Sequence, residues 1–240
     1  FRLTDALYAA GESFPITIGA IPGAGAVNTF TLRPAPGATV AITGSSPTAT
    51  LKLAGADYVT IDGSNSGGTS RDLSITNTSL AGGTAAVWLA SLGPGAGATH
   101  DTIRNTILSA GVDQEANDLA TFGLLSAGAT LAAGSDGADN DANTFSHNTI
   151  FRVRHGIWVR GAAGNPNDNV TIDGTSFSTI LGDAVKVEVT GVEGSRKPLS
   201  REMEVVVLQG GQYWSGSATD GQSLTMNLVR TPSKKWNTAT

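Results

Sequence analysis

The chain has no cysteine among its 240 residues. That removes disulfides, thiolate chemistry and Cys-ligated metals, and it is compatible with either redox compartment. Charge is scarce too: Asp, Glu, Lys and Arg make up 15% of the residues, against about 25% in an average soluble domain. Aromatic residues are 6%. The net charge is −5, with a pI near 5.1, so the basic footprint of a nucleic-acid binder is missing. No apolar run is long enough to cross a bilayer. Motifs for nucleotide binding, zinc proteolysis and the serine nucleophile elbow are likewise missing. The Gly-rich stretch Gly93-Pro94-Gly95-Ala96-Gly97 has no helix signal after it, so it does not read as a phosphate loop. The chain opens Phe1-Arg2-Leu3, without Met, which predicts a mature form or an excised fragment.

What is abundant is glycine, 31 residues, and threonine, 29 residues. Both are poor helix formers. The apolar share of 40% is too high for a disordered chain. Short apolar stretches alternate with period two, which predicts strands.

Internal repetition organises these stretches. Val59-Thr60-Ile61-Asp62-Gly63 recurs unchanged as Val170-Thr171-Ile172-Asp173-Gly174. A second family carries Asn: Ile75-Thr76-Asn77, Ile103-Arg104-Asn105, His147-Asn148-Thr149-Ile150. In a third, a small residue precedes an alternating pair: Ala86-Val87-Trp88-Leu89, Gly123-Leu124-Leu125-Ser126, Gly156-Ile157-Trp158-Val159, Ala184-Val185-Lys186-Val187. The families interleave, so one cycle reads Leu73/Ile75, Leu80, Val87/Leu89. The next cycles read Ile103, Leu108, Leu124, then Phe145, Phe151, Ile157/Val159, then Val170/Ile172, Phe177, Val185/Val187. Gly-rich inserts stretch the spacing. Three short strands per cycle predict stacked coils around one apolar column. Asn and Asp suit the corners, and aligned Asn residues are expected to bond to one another up the stack.

The predicted fold is therefore all-β: a right-handed parallel β-helix over residues 15–190. Residues 1–14 read as an N-terminal cap, with a short helix over Leu3–Ala10 started by Thr4 or Asp5. Residues 191–240 read as a last coil plus a C-terminal cap or arm, with strands at Glu204–Leu208 and Ser223–Val229 around a Gly-rich turn. The Lys234-Lys235-Trp236 tail reads as an end that frays or docks.

The segments Phe30–Pro34, Ala38–Gly44 and Ala56–Gly63, with Asn143–Ile150 and His155–Val159, resemble secreted right-handed parallel β-helix proteins of the pectin-lyase-like superfamily. The likeness is greatest to cell-surface and secreted proteins of Bacteroidota-type bacteria. It implies the same fold over roughly residues 15–190. It does not choose a function, because that superfamily holds lyases, hydrolases, adhesins and stalks. Its pectin hydrolases carry an Asp pair, a Gly-His-Gly and an Arg-x-Lys. Here Arg154-His155-Gly156 stands alone, with Arg160 nearby, so His155 reads as a corner residue. Asp136, Asp139 and Asp141, in the longest insert, are the candidate calcium ligands; an acidic, solvated loop tip is the alternative.

Period two turns Val87, Leu124, Ile157 and Val185 inward. Trp88, Leu125, Trp158 and Lys186 then form one outward ladder. Three readings of this ladder stand open: cover by the protein's own loops, self-association, and contact with a glycan. The functional expectation is an extracellular structural or adhesive module, secreted or at the cell surface, without catalysis. The alternative is a polysaccharide-binding or polysaccharide-cleaving protein. The expected partner is a second copy or a cell-surface glycan, with no nucleic acid and no membrane insertion.

Overall fold

The structure, a computed structural model, describes residues 1–111, 120–180, 183–189, 204–209, 212–217 and 224–227. No helix occurs among them. The first coil comprises β1 (Arg2–Leu3), β2 (Leu7–Tyr8) and β3 (Ile16–Gly19). The second holds β4 (Phe30–Pro34), β5 (Val40–Gly44) and β6 (Ala49–Ala54). The third holds β7 (Val59–Asp62), β8 (Leu73–Asn77) and β9 (Gly83–Ala90), and the fourth β10 (Thr102–Arg104), β11 (Thr106–Ala110) and β12 (Ala120–Ala127). The fifth holds β13 (Thr144–Ser146), β14 (Thr149–Val153) and β15 (His155–Gly161). The sixth holds β16 (Thr171–Ile180) and β17 (Asp183–Val189). Then follow β18 (Glu204–Gln209), β19 (Gln212–Ser217) and β20 (Leu224–Asn227).

Each strand pairs in parallel with its counterpart one coil away, building three sheets. The first stacks β1, β4, β7, β10, β13, β16 and β18. The second stacks β2, β5, β8, β11, β14 and β16. One strand serves both because β16 runs unbroken through the corner at Gly174, whose φ is +55°. The third sheet stacks β3, β6, β9, β12, β15 and β17. Antiparallel strand pairing appears past the last coil, where β19 pairs β18 and β20 pairs β17, and an isolated antiparallel bridge joins Ala162 and Asn165. The chain is thus an all-β parallel solenoid. Among the described residues no helix is long and apolar enough to cross a membrane.

One column of fully buried Val, Ile, Leu and Phe fills the interior. Ile61, Ile103, Phe145 and Ile172 line up in the first sheet, and Ile42, Ile75, Leu108, Ile150 and Phe177 in the second. Leu51, Val87, Leu124, Ile157 and Val185 line up in the third.

Several expectations change. Leu3–Ala10 is not a helix: β1 and β2 pair with β4 and β5, and the Thr4 and Asp5 N–H groups donate to Tyr8 Oη at 3.1 and 3.2 Å. A helix this short repays its nucleation poorly, whereas the strands find ready-made partners. The cycle starts at Val59/Ile61, which pairs with Ile103, while Leu73/Ile75 belongs to the second sheet. Leu80 is 71% exposed in a loop, and Ile150 rather than the half-buried Phe151 enters the core. The turn between the two late strands contains β19. Ser223, Val229 and the Lys234–Trp236 tail lie outside the described residues.

Polar corner residues tie coil to coil. Asn143 Oδ1 accepts from Asp101 N–H and its Nδ2 donates to Ala98 O, both at 2.8 Å. Asn148 accepts from Thr106 N–H at 3.0 Å and donates to Ile103 O at 2.9 Å. Asn140 accepts from Ala98 N–H at 2.8 Å. These Asn residues therefore bond the neighbouring coil's backbone rather than one another, because buried backbone groups at the corners need partners that no ladder supplies.

Candidate functional site

The outer face of the third sheet carries the ladder expected from sequence. Its rungs read Thr17, Lys52, Trp88, Leu125, Trp158 and Lys186. Parallel strands set successive rungs about 4.8 Å apart. Beside it run Ala49, Ala85, Phe122 and His155, and on the other side Ala54, Ala90 and Ala127. Ala49, Ala85, Trp88, Ala90, Phe122, Leu125, Ala127 and Trp158 form a second apolar cluster, separated from the interior column by the sheet itself.

The apolar rungs are covered. Trp88 is 3% exposed, Leu125 0% and Trp158 5%, with Leu131 and Ala133 of the longest insert packed against the cluster. Of the three open readings, cover by the protein's own loops describes this face. As folded, Trp88, Leu125 and Trp158 present no surface to a partner. The physical reason is the width of the apolar patch, which is more stable under a loop than in water.

Two cations flank the apolar rungs. Lys52 Nζ lies 4.0 Å from the centre of the Trp88 ring and Lys186 Nζ 4.2 Å from that of Trp158. Each ammonium meets the negative face of an indole. Burial lowers the Lys52 pKa from its ordinary value. Lys52 was not among the expected rungs, although Leu51-Lys52-Leu53 has the same alternation. Thr50 stands there in place of the small residue, with its hydroxyl donating to Thr76 O at 3.0 Å.

His155 belongs to this cluster. Its ring stacks on Phe122 at 5.4 Å and meets Trp158 edge-on at 4.6 Å. Burial first, then the Arg154 and Lys186 charges, push its pKa down to about 4. The ring is therefore neutral at neutral pH and acts as an aromatic filler. Arg160 Nε donates to Asp136 Oδ1 at 2.6 Å.

The three candidate calcium ligands have other partners. Asp136 pairs with Arg160, Asp139 Oδ2 accepts from Gly95 N–H at 2.7 Å and Asn165 Nδ2 at 3.3 Å, and Asp141 Oδ1 accepts from Asp168 N–H at 2.6 Å. Among the described residues no group of three such side chains is placed to hold a metal ion. These carboxylates cap backbone and pin the insert.

Two further features were not singled out from sequence. A groove of about 360 Å³ lies between loops that follow the third sheet, walled by Ser91, Leu92, Pro94, Asp136, Ala138 and Asn165. Its polar groups are engaged, Ser91 Oγ donating to Ala138 O at 2.5 Å. On the outer face of the first sheet, Thr31, Thr60, Thr102, Thr144 and Thr171 stand in register, each partly exposed. The signal was the Thr directly before the inward Leu, Ile or Phe of each first-sheet strand from β4 to β16. Comparison with family models, curated proteins and solved structures returned no match to this chain.

Proposed function

We propose that this chain is an extracellular structural or adhesive module, secreted or held at a cell surface. It would be a stiff rod of the kind found in the Bacteroidota-type, pectin-lyase-like proteins that its sequence resembles. The observation that carries this reading is the cladding of the third sheet on both faces, by the interior column and by the Trp88–Trp158 cluster. A sheet packed on both sides resists bending more than one solvated on one side. The corner Asn and Asp side chains add ties from coil to coil. Electron microscopy of the purified chain, with light scattering, tests the reading. Slender particles, single or associated, are expected; rounded particles of varied shape would sink it.

A second reading, binding of an uncharged polysaccharide, is favoured by the threonine column. Its five hydroxyls make no hydrogen bond to other described residues. They offer donors and acceptors at a regular interval. Retardation in glycan-containing gels, lost in Thr60→Val/Thr102→Val/Thr144→Val, is expected on this reading; mobility unaffected by every neutral glycan tested counts against it.

A further inference from the structure

A fully buried carboxylate interrupts an otherwise complete set of ties. Asp101 is 0% exposed, in the corner before β10. Its Oδ1 accepts from Val59 N–H at 2.8 Å, as Asn143 Oδ1, one coil on, accepts from Asp101 N–H at 2.8 Å. The two side chains do the same work one coil apart. Asn143 completes it, because Nδ2 donates to Ala98 O at 2.8 Å. Asp101 Oδ2 has no donor aimed at it. The carbonyl that corresponds to Ala98 is Ala56, whose oxygen accepts from Thr99 N–H at 3.0 Å. A carboxylate cannot donate to a carbonyl; a carboxylic acid can.

We propose that Asp101 is built into the stack as a neutral carboxylic acid whose Oδ2–H donates to the Ala56 carbonyl, and that loss of this proton loosens the junction between the third and fourth coils. The surroundings favour the neutral form. Val59 and Asn143, which flank it above and below, carry no charge. The titratable groups on adjoining corners are Asp57, His100 and Asp141. Asp57 Oδ1 accepts from the Thr99 hydroxyl, His100 stacks on Tyr58 and its N–H donates to Asp141 O. Burial pushes the Asp101 pKa up to about 8, against the pull of the Val59 N–H, and the Asp57 charge adds to the rise.

The sign follows from proton linkage. The folded chain holds this proton to about pH 8, whereas the unfolded chain releases it near the ordinary carboxylate value of about 4. The stabilisation is complete below that lower value and is lost as pH rises through the upper one.

The test compares the full chain with Asp101→Asn, which replaces the acid by the amide that Asn143 already is. Between about pH 4 and about pH 8 the melting temperature of the original chain should fall relative to that of Asp101→Asn, and above about pH 8 the difference should level off. Infrared spectra at neutral pH should show a protonated-carboxyl stretch that disappears at alkaline pH and is missing in Asp101→Asn. The proposal is overturned by equal pH slopes in the two proteins, or by absence of that band from the original chain at neutral pH. An Asp101→Asn chain that does not fold overturns it as well, since the amide reproduces the proposed bond.

Discussion

Trp88 and Trp158 show how far one residue's environment departs from its position in a pattern. Alternation places both on the outside of a strand, yet both are buried, in a cluster against which Leu131 and Ala133 pack. Truncating a buried aromatic side chain costs about 3–5 kcal/mol. Trp158→Ala should therefore lower stability by that order in urea unfolding, and a change below about 1 kcal/mol would mean the ring is not enclosed. His155 gives a pH dependence of its own. Its pKa is depressed on folding to about 4 from an ordinary value near 6.5, so the stability it contributes is present above about 6.5 and lost as pH falls towards 4. His155→Phe should remove this acid-side slope from thermal melts. This window overlaps that of Asp101 between about pH 4 and about pH 6.5 but has the opposite sign, so the single variants His155→Phe and Asp101→Asn separate the two slopes. Asp62 is the contrasting buried acid. Burial pushes its pKa up, but bonds from Asn105, the Ser64 N–H and Arg104 outweigh that and hold it below the ordinary value.

At the scale of the element, corners decide more than strands do. Ala86, Gly123, Gly156 and Ala184, each directly before an inward residue, stack within the third sheet, and all four are buried. A Cβ on Gly156 would come within 2.3 Å of Ala184 O and 2.6 Å of the Phe177 ring. Gly156→Val should thus prevent native stacking of the fifth and sixth coils, seen as lost cooperativity and lost strand signal in circular dichroism. Retained native unfolding would contradict the close approach. Asn148→Ala removes acceptor and donor from Thr106 N–H and Ile103 O, both inside the stack. Leaving such groups unpaired costs about 1–3 kcal/mol each, and hydrogen exchange at Thr106 should accelerate in step with the lost stability. The small residue before the inward position in β9, β12, β15 and β17 was legible in sequence as a recurring Gly or Ala. Its reason was not, because the atoms it must clear belong to the next coil, 28 residues further on at Gly156 and Ala184.

At the scale of the molecule, the solenoid is a sum of coils, each resting only on its neighbours. Ile157→Asp places a charge in the interior column beside Leu124 and Val185. The variant should lose the native transition in thermal melts, since no partner for the carboxylate lies in the column. A stable, soluble Ile157→Asp protein would contradict the register of the third sheet. The phase of the repeat was misread by one strand before residue 80: Leu73/Ile75 has the same alternation as the first-sheet strands, and only pairing with Leu108 assigns it to the second. The opening coil was misread for a related reason. Two-residue strands such as Arg2–Leu3 are too short to show a period, and they exist because β4 and β5 lie ready to pair with them.

Sequence by itself determined the period-two strands, the three-strand cycle, the outward ladder from Trp88 to Lys186 and the polar corners, because each follows from side-chain alternation and local backbone preference. Tertiary structure alone decided that the outer apolar rungs of the third sheet are covered, whether Asp136, Asp139 and Asp141 converge, and that Asp101 lies fully buried near the Asp57 charge. These depend on how a long insert folds back and on contacts across 42 residues. Such distances leave no trace in a local pattern.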